Sequence, residues 1–143
     1  MYRFTCEVMY HGGIPISFSW RSYLDLAKEL DNGSNEAKQR SSISRAYYAA
    51  FCSARNHMEE KDNHKLPLDG SEHQYIIEYY MGYKKRRTTR NRTKIAQELK
   101  RMKRERIKAD YDNILNERSL PTTVKDVLIR SDRVVSLIEA GGL

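Results

Sequence analysis

The spacing of apolar residues along the chain predicts a series of amphipathic helices. From about Asn35 to Glu60, apolar residues recur at steps of three and four, with several small residues among them. The apolar positions of this stripe are Ile43, Ala46, Tyr47, Ala50, Phe51, Ala54 and Met58. Tyr47 and Tyr48 point about 100° apart on such a helix, so one can be buried while the other lines a neighbouring surface. Because small side chains let a neighbour come close, we expect this segment to be the central helix.

Four further segments show the same helical spacing and complete the predicted fold. The predicted helices span about residues 20–30, 35–60, 71–83, 93–112 and 121–140. Ser19 stands where it could cap the first helix, and Ser71 with Gln74 has the spacing of a capping box at the third. Pro121 opens the last helix and Gly141 follows its end. The pattern therefore predicts an all-α protein, an up-and-down bundle of four to five helices.

Residues 1–18 precede the first predicted helix and show a different pattern. Apolar and polar residues alternate on both sides of Gly12 and Gly13, which is typical of a short β-hairpin or of an extended arm. A loosely held terminus explains the same residues equally well. A chain of 143 residues has the size of one domain, so we divide it into an arm at residues 1–18 and a helical domain at residues 19–143.

Composition and cysteine content narrow the class of protein. Mean hydropathy is −0.79, and no apolar run approaches the ~20 residues of a membrane span. The first residues lack the apolar segment of a signal peptide, so we expect a soluble, cytoplasmic protein without a membrane partner. The two cysteines form no disulfide framework, and no histidine–cysteine cluster has the spacing of metal ligands. We therefore expect no bound metal and no cofactor.

Positive charge is concentrated in one part of the chain. The net charge is +7, yet residues 84–108 contain thirteen Lys or Arg residues against two acidic ones, a local net of +11. Charge clustered in this way attracts polyanions such as RNA, whereas scattered charge would indicate only a solvated surface. The predicted RNA-binding residues are Lys84, Lys85, Arg86, Arg87, Arg90 and Arg92. The tyrosines at positions 79, 80 and 83 could either stack on unpaired bases or belong to the core.

One arginine of this basic segment continues an apolar stripe. Arg106 takes the next position after Leu99 and Met102 on the fourth predicted helix. Asp110 follows one turn later and is an obvious partner. An arginine at such a position is costly to bury without a partner. It is therefore either half of an ion pair that closes the helix, or a cation that binds a phosphate through its guanidinium fork.

Two short motifs together resemble those of the HEPN family of small helical domains. The first is S-R-A-Y-Y-A-A-F at residues 44–51, and the second is R-x-x-A-D-Y-D at residues 106–112. The resemblance extends over roughly residues 20–140. Many members of the family look like metal-independent ribonucleases, or toxins paired with an antitoxin, and they place the motif at the interface of a homodimer. In the family a His usually follows the Arg after roughly four to six residues, whereas this chain has Tyr111 in that interval.

The residues and the resemblance together lead to one functional hypothesis and its alternative. The hypothesis is a toxin-type protein that acts on or binds RNA, as a metal-independent ribonuclease working as a homodimer. Its candidate catalytic residues are Arg106, Asp110, Tyr111 and His73. His73 would supply, from the third helix, the imidazole that the motif lacks. The alternative is a non-catalytic binding module that pairs with a nucleotidyltransferase-type antitoxin or another partner, which could modify Tyr111. A helical dimer without any ligand is disfavoured by the clustered charge.

Overall fold

The computed structural model describes residues 9–11, 14–16, 18–32, 35–84 and 87–143. In these residues the chain forms two short strands followed by five helices. The elements are β1 (Met9–His11), β2 (Ile14–Ile16), α1 (Arg21–Asp31), α2 (Glu36–Glu60), α3 (Glu72–Tyr80), α4 (Arg90–Tyr111) and α5 (Leu120–Ala140). The predicted helical bundle is confirmed, and β1 pairs with β2 as an antiparallel hairpin within the N-terminal arm. None of the described helices combines the length and the hydrophobicity that a membrane span requires.

Helix α2 is the centre of the bundle and packs against all four other helices. Its neighbours come close enough for hydroxyl groups to bond to backbone carbonyls across the interfaces. Ser42 Oγ of α2 donates to the carbonyl oxygen of Ala27 in α1 at 2.7 Å. Ser131 Oγ of α5 donates to the carbonyl oxygen of Ala46 at 2.6 Å. The small residues of α2 therefore allow the close helix packing that the sequence predicted.

The predicted cap at Ser19 is wrong, and the capping box predicted at Ser71 does not form. Ser19 is not the N-cap of α1, which begins one residue later than predicted and has no side-chain cap. Ser71 does occupy the N-cap position of α3, but its hydroxyl donates to Asp69. The side chain of Gln74 donates to Glu78, one turn further along the helix. Both side chains of the expected capping box thus have competing local partners.

Helix α4 begins three residues earlier than predicted, because Thr89 caps it. The hydroxyl oxygen of Thr89 accepts a hydrogen bond from the backbone N–H of Arg92 at 3.2 Å. The ends of the last helix, α5, follow the prediction. Pro121 lies in the first turn of α5, and Gly141 follows its end with φ of 73°. Because α4 begins at Arg90, most of the basic segment at residues 84–108 lies on this regular helix.

Candidate functional site

Arg106 lies in the interior of the bundle with few partners. It is 7% exposed, and its Nη1 donates to Asp110 Oδ2 across 3.4 Å, a long distance for such a contact. Its Nε is buried and has no hydrogen-bond acceptor among the described residues. An unpaired buried donor costs on the order of 1–3 kcal/mol. The protein thus retains a guanidinium that the surrounding fold does not fully satisfy.

Two tyrosines of α2 surround the guanidinium of Arg106. Its central carbon lies 5.4 Å from the centre of the Tyr47 ring and 5.5 Å from the centre of the Tyr48 ring. A contact between a cation and an aromatic face is worth about 0.5–2 kcal/mol. Tyr47 is fully buried and Tyr48 partly exposed, so the two adjacent tyrosines differ in burial as predicted. One turn earlier, Ser44 donates its hydroxyl to Asp110 Oδ2 at 3.3 Å. Helix α2 therefore contacts both members of the arginine–aspartate pair.

His73 reaches the same tyrosines from the first turn of α3. Its Nδ1 lies 2.6 Å from Tyr47 Oη, and its ring stacks on Phe51 with the ring centres 4.2 Å apart. Burial lowers the pKa of His73 below its usual value, and the positive charges of Arg106 and Lys103 lower it further. The imidazole is therefore neutral at neutral pH. We call the resulting group the arginine–histidine cluster: Arg106, Asp110, Tyr47, Tyr48 and His73.

The structure brings together three of the four predicted catalytic residues, Arg106, Asp110 and His73. The fourth, Tyr111, lies outside the cluster. Five residues after Arg106, it is rotated by about 140° around the axis of α4, whereas Asp110 is rotated by only about 40°. The side chain of Tyr111 is 72% exposed and has no hydrogen bond or ring contact with the described part of the chain. Its position on the helix therefore separates it from His73.

The aromatic side of the cluster is the part that the sequence did not identify. Tyr47 and Phe51 are ordinary members of the apolar stripe of α2, and Lys103 is one cation among many. Their place in the site follows from the packing of α3 and α4 against α2. The signal available in the sequence was the pair of adjacent tyrosines, because the second ring cannot share the buried direction of the first.

The predicted RNA-binding residues have different surroundings. Arg87 and Arg90 are exposed. Lys84 forms an ion pair at 3.0 Å with a glutamate of α3. Lys85 and Arg86 lie outside the described residues. The exposed members of the predicted set therefore stand at the beginning of α4 and just before it.

Arg92 was predicted to bind RNA but is instead a buried residue, 2% exposed. Its Nη1 and Nη2 donate to the two carboxylate oxygens of Asp62 at 2.7 and 3.0 Å. Burial alone would raise the pKa of Asp62, but hydrogen bonds from Arg92 and Tyr79 hold it below its usual value. Tyr79 and Tyr80 belong to the core, whereas Tyr83 is 70% exposed. Arg92 is thus half of an interior ion pair, and of the three tyrosines only Tyr83 remains open to stacking.

A buried glutamate pairs with one lysine of the basic segment and with two arginines of α5. Glu98 is 1% exposed and accepts hydrogen bonds from Arg130 and Arg133 of α5, each at 2.6 Å. Lys94 pairs with it at 3.1 Å. Burial alone would raise the pKa of Glu98, but these three cations outweigh burial and hold the pKa at about 2. The ionised carboxylate therefore joins α4 to α5.

Other cations of α4 have no acidic partner. Within the described residues, no carboxylate lies at ion-pair distance from Lys100, Arg101 or Lys103. Lys100 and Arg101 line a cavity of about 850 Å³ between α4 and α5. Lys103 is close enough to His73 for its charge to lower the pKa of the imidazole. Unpaired positive charge thus extends over α4 from the arginine–histidine cluster to this cavity.

Comparison of the chain with family models, with curated proteins and with solved structures found no match. In the part of the chain that the structure describes, no three His, Cys, Asp or Glu side chains are grouped so that they could hold a metal ion. The protein is an all-α bundle, and its candidate site consists of a buried guanidinium, a neutral imidazole, a carboxylate and the aromatic rings between them.

Proposed function

We propose that this chain is a toxin-type protein that acts on RNA, and that the arginine–histidine cluster binds a phosphate of the RNA. The proposal is carried by Arg106, whose buried guanidinium has an unpaired Nε and one long contact to Asp110. A guanidinium kept in the interior at this cost suits a ligand that supplies negative charge. Its Nη2 has no hydrogen-bond partner among the described residues and, unlike Nε, is not completely enclosed, which leaves it as the donor for a phosphate oxygen.

The charge around the cluster favours RNA over a small phosphate ligand. Lys103 lies near His73, and Lys100 and Arg101 continue the unpaired charge across α4. A polyanion gains affinity by contacting several such cations at once, because each neutralised phosphate releases counterions. The resemblance of residues 44–51 and 106–112 to HEPN motifs supports the same class of ligand.

The cluster also suits RNA cleavage without a metal. Attack of a 2′-hydroxyl on the adjacent phosphate requires a proton acceptor, a proton donor and stabilisation of negative charge. Asp110 offers a carboxylate that accepts the proton of the 2′-hydroxyl, Arg106 a cation and His73 an N–H that stabilise negative charge on the phosphate, and water supplies the proton of the leaving oxygen. By resemblance to HEPN domains, we propose a homodimer in which the clusters of two copies share one cleft.

Binding to a short RNA should depend steeply on salt concentration. We expect the affinity to fall by at least one order of magnitude between about 50 and 200 mM salt, because several phosphates are neutralised. The variant Lys100→Ser/Arg101→Ser/Lys103→Ser should lower the slope of log affinity against log salt by about 2–3. Fluorescence anisotropy of labelled RNA over a salt series measures both quantities.

A second triple variant with the same change in charge is the control for this experiment. Lys38→Ser/Lys65→Ser/Lys125→Ser removes three exposed lysines outside residues 84–108 and should keep the slope of the unmodified protein. Equal slopes in the two triple variants would contradict a binding surface on α4. Affinity that does not change with salt would contradict RNA binding through phosphates altogether.

Cleavage and dimerisation are tested on the same preparation. The purified protein should degrade RNA in the presence of a chelator, and light scattering should give about twice the 16.8 kDa mass of one chain. Intact RNA with normal salt-dependent binding would remove cleavage from the proposal and leave the binding function. Degradation of RNA by a monomeric protein would contradict the proposal that two copies share one cleft.

A second candidate function is favoured by the exposure of Tyr111. Its ring is 72% exposed at the end of α4 and has no hydrogen-bond partner among the described residues. In this alternative the chain is a non-catalytic module, and its nucleotidyltransferase-type antitoxin transfers the nucleoside monophosphate group of a nucleoside triphosphate to the phenolic oxygen, which loses its proton while pyrophosphate leaves. Co-expression with such a partner should add the mass of a nucleotide to the unmodified chain but not to Tyr111→Phe. Tyr83→Phe, which alters another ring that is 70% exposed, should be modified normally. Modification that persists in Tyr111→Phe would exclude this acceptor.

A further inference from the structure

A short hydrogen bond joins Tyr47 and His73 inside the arginine–histidine cluster. Tyr47 Oη and His73 Nδ1 are 2.6 Å apart, and Tyr47 is fully buried. No other described residue offers Tyr47 Oη a hydrogen-bond partner. The bond can form in two ways, because either the phenol or the imidazole can donate the proton.

The surroundings select the phenol as the donor. If His73 donated from Nδ1, the O–H of Tyr47 would be buried without an acceptor, at a cost on the order of 1–3 kcal/mol. Burial also raises the pKa of Tyr47, and the charge of Arg106 offsets only part of this effect, so the phenol keeps its proton at neutral pH. Tyr47 therefore donates, and His73 Nδ1 accepts.

The opposite nitrogen of the imidazole, Nε2, is thereby left as a donor. A neutral histidine that accepts at Nδ1 carries its hydrogen on Nε2. Stacking on Phe51 at 4.2 Å and on Tyr47 at 5.6 Å between ring centres restricts the orientation of the His73 ring. Nε2 has no hydrogen-bond partner among the described residues and is not completely enclosed, because His73 is only partly buried. Its N–H is therefore left without an acceptor that a ligand could supply.

We infer that Tyr47 is a positioning residue, which fixes His73 in the tautomer that donates from Nε2 to a phosphate oxygen beside Arg106. The identity of this ligand rests on the proposed function. With its hydrogen on Nε2, the imidazole has no lone pair on the accessible side and does not act there as a base. Two donors, His73 Nε2 and Arg106 Nη2, then stabilise negative charge on the phosphate. Asp110 is left as the proton acceptor of the cluster.

Long-range ¹H–¹⁵N NMR of the imidazoles reads the tautomer on the free protein, with His73 assigned from a His73→Gln sample. We expect the signature of a protonated Nε2 and an unprotonated Nδ1. In Tyr47→Phe, which keeps the ring and removes the hydroxyl, the two nitrogens should become more alike as the tautomers interconvert. The matched control is Tyr75→Phe, which removes a tyrosine–histidine bond of 2.7 Å at His64 and should leave His73 unchanged. A protonated Nδ1 on His73 in the unmodified protein would overturn the inference.

A short RNA then tests the donor role. Its addition should shift the ¹⁵N resonance of Nε2 more than that of Nδ1, and Tyr47→Phe should bind RNA about 2- to 10-fold more weakly while remaining folded by circular dichroism. RNA that binds without moving Nε2 would overturn the donor role and leave the proposed function standing. A failure of RNA to bind would overturn the proposed function and the donor role together. The tautomer of His73 would still stand or fall by the NMR measurement on the free protein.

Discussion

The variant Arg92→Met should lose about 3–5 kcal/mol of unfolding free energy. Arg92 is 2% exposed, and its two terminal nitrogens donate to both carboxylate oxygens of Asp62 at 2.7 and 3.0 Å. Methionine fills a similar volume but cannot pair with the carboxylate, which stays in the interior without its guanidinium. Chemical denaturation followed by circular dichroism measures the loss.

The control for Arg92→Met is the same substitution at Arg90, two residues earlier. Arg90 is exposed and forms no ion pair with the described residues, so Arg90→Met should change the unfolding free energy by less than about 0.5 kcal/mol. Equal stabilities of the two variants would show that the pair of Arg92 and Asp62 does not hold the fold. Under native conditions, folded Arg92→Met should bind RNA as the unmodified protein does, because Arg92 is not on the surface.

Arg106→Met should show the reverse of the pattern expected for Arg92→Met. Its stability should be nearly unchanged, and its RNA affinity should be lower by about 10- to 100-fold. The substitution removes a guanidinium whose Nε is already unpaired and whose contact to Asp110 is 3.4 Å long. The side chain of Asp110 is 28% exposed and can be hydrated after the change. Removing a weakly paired buried charge also removes the cost of its desolvation, which offsets the contacts that are lost. A hydrogen bond from a charged group to phosphate is worth about 1.5–3 kcal/mol, which corresponds to the expected loss of affinity.

Two further variants make the result for Arg106 specific. Arg106→Lys should restore little affinity, because an ammonium on a flexible stem does not reproduce the fixed donor geometry of the planar guanidinium. Arg104→Met removes a charge from a side chain that is 68% exposed and should weaken RNA binding only through the salt-dependent term. Unfolding of Arg106→Met, with RNA affinity unchanged per folded molecule, would instead assign Arg106 a structural role.

The fold was predictable because its signals repeat along the chain. The apolar stripe of α2 keeps the helical period from Ile43 to Met58, and its small residues mark the side where other helices approach. Helix ends were less predictable, because a cap depends on the direction of a single side chain. Ser71 occupies the N-cap position of α3, yet its hydroxyl bonds to Asp69. Spacing in the sequence does not distinguish these two local partners.

The candidate site was predictable only where its residues are neighbours on one helix. Arg106 and Asp110 are one turn apart, so their contact follows from the helical period. Arg92 lies about 40° from Arg106 around the axis of the same helix, so both arginines point towards the core. They differ because Asp62, from the segment after α2, reaches Arg92 and not Arg106. Arg92 is therefore a structural residue, whereas Arg106 is a candidate phosphate-binding residue.

The sequence by itself determined the helices, the central position of α2 and the concentration of positive charge, because these properties depend on residue order alone. Only the tertiary structure decided which cations remain available to a ligand. Glu98 forms ion pairs with Arg130 and Arg133 of α5, whereas Lys100 and Arg101 have no acidic partner in the described residues. The tertiary structure also placed the imidazole of α3 against a tyrosine of α2 and beside the guanidinium of α4. The physical reason is that the partner of a buried charge usually comes from another element, and only packing brings the two together.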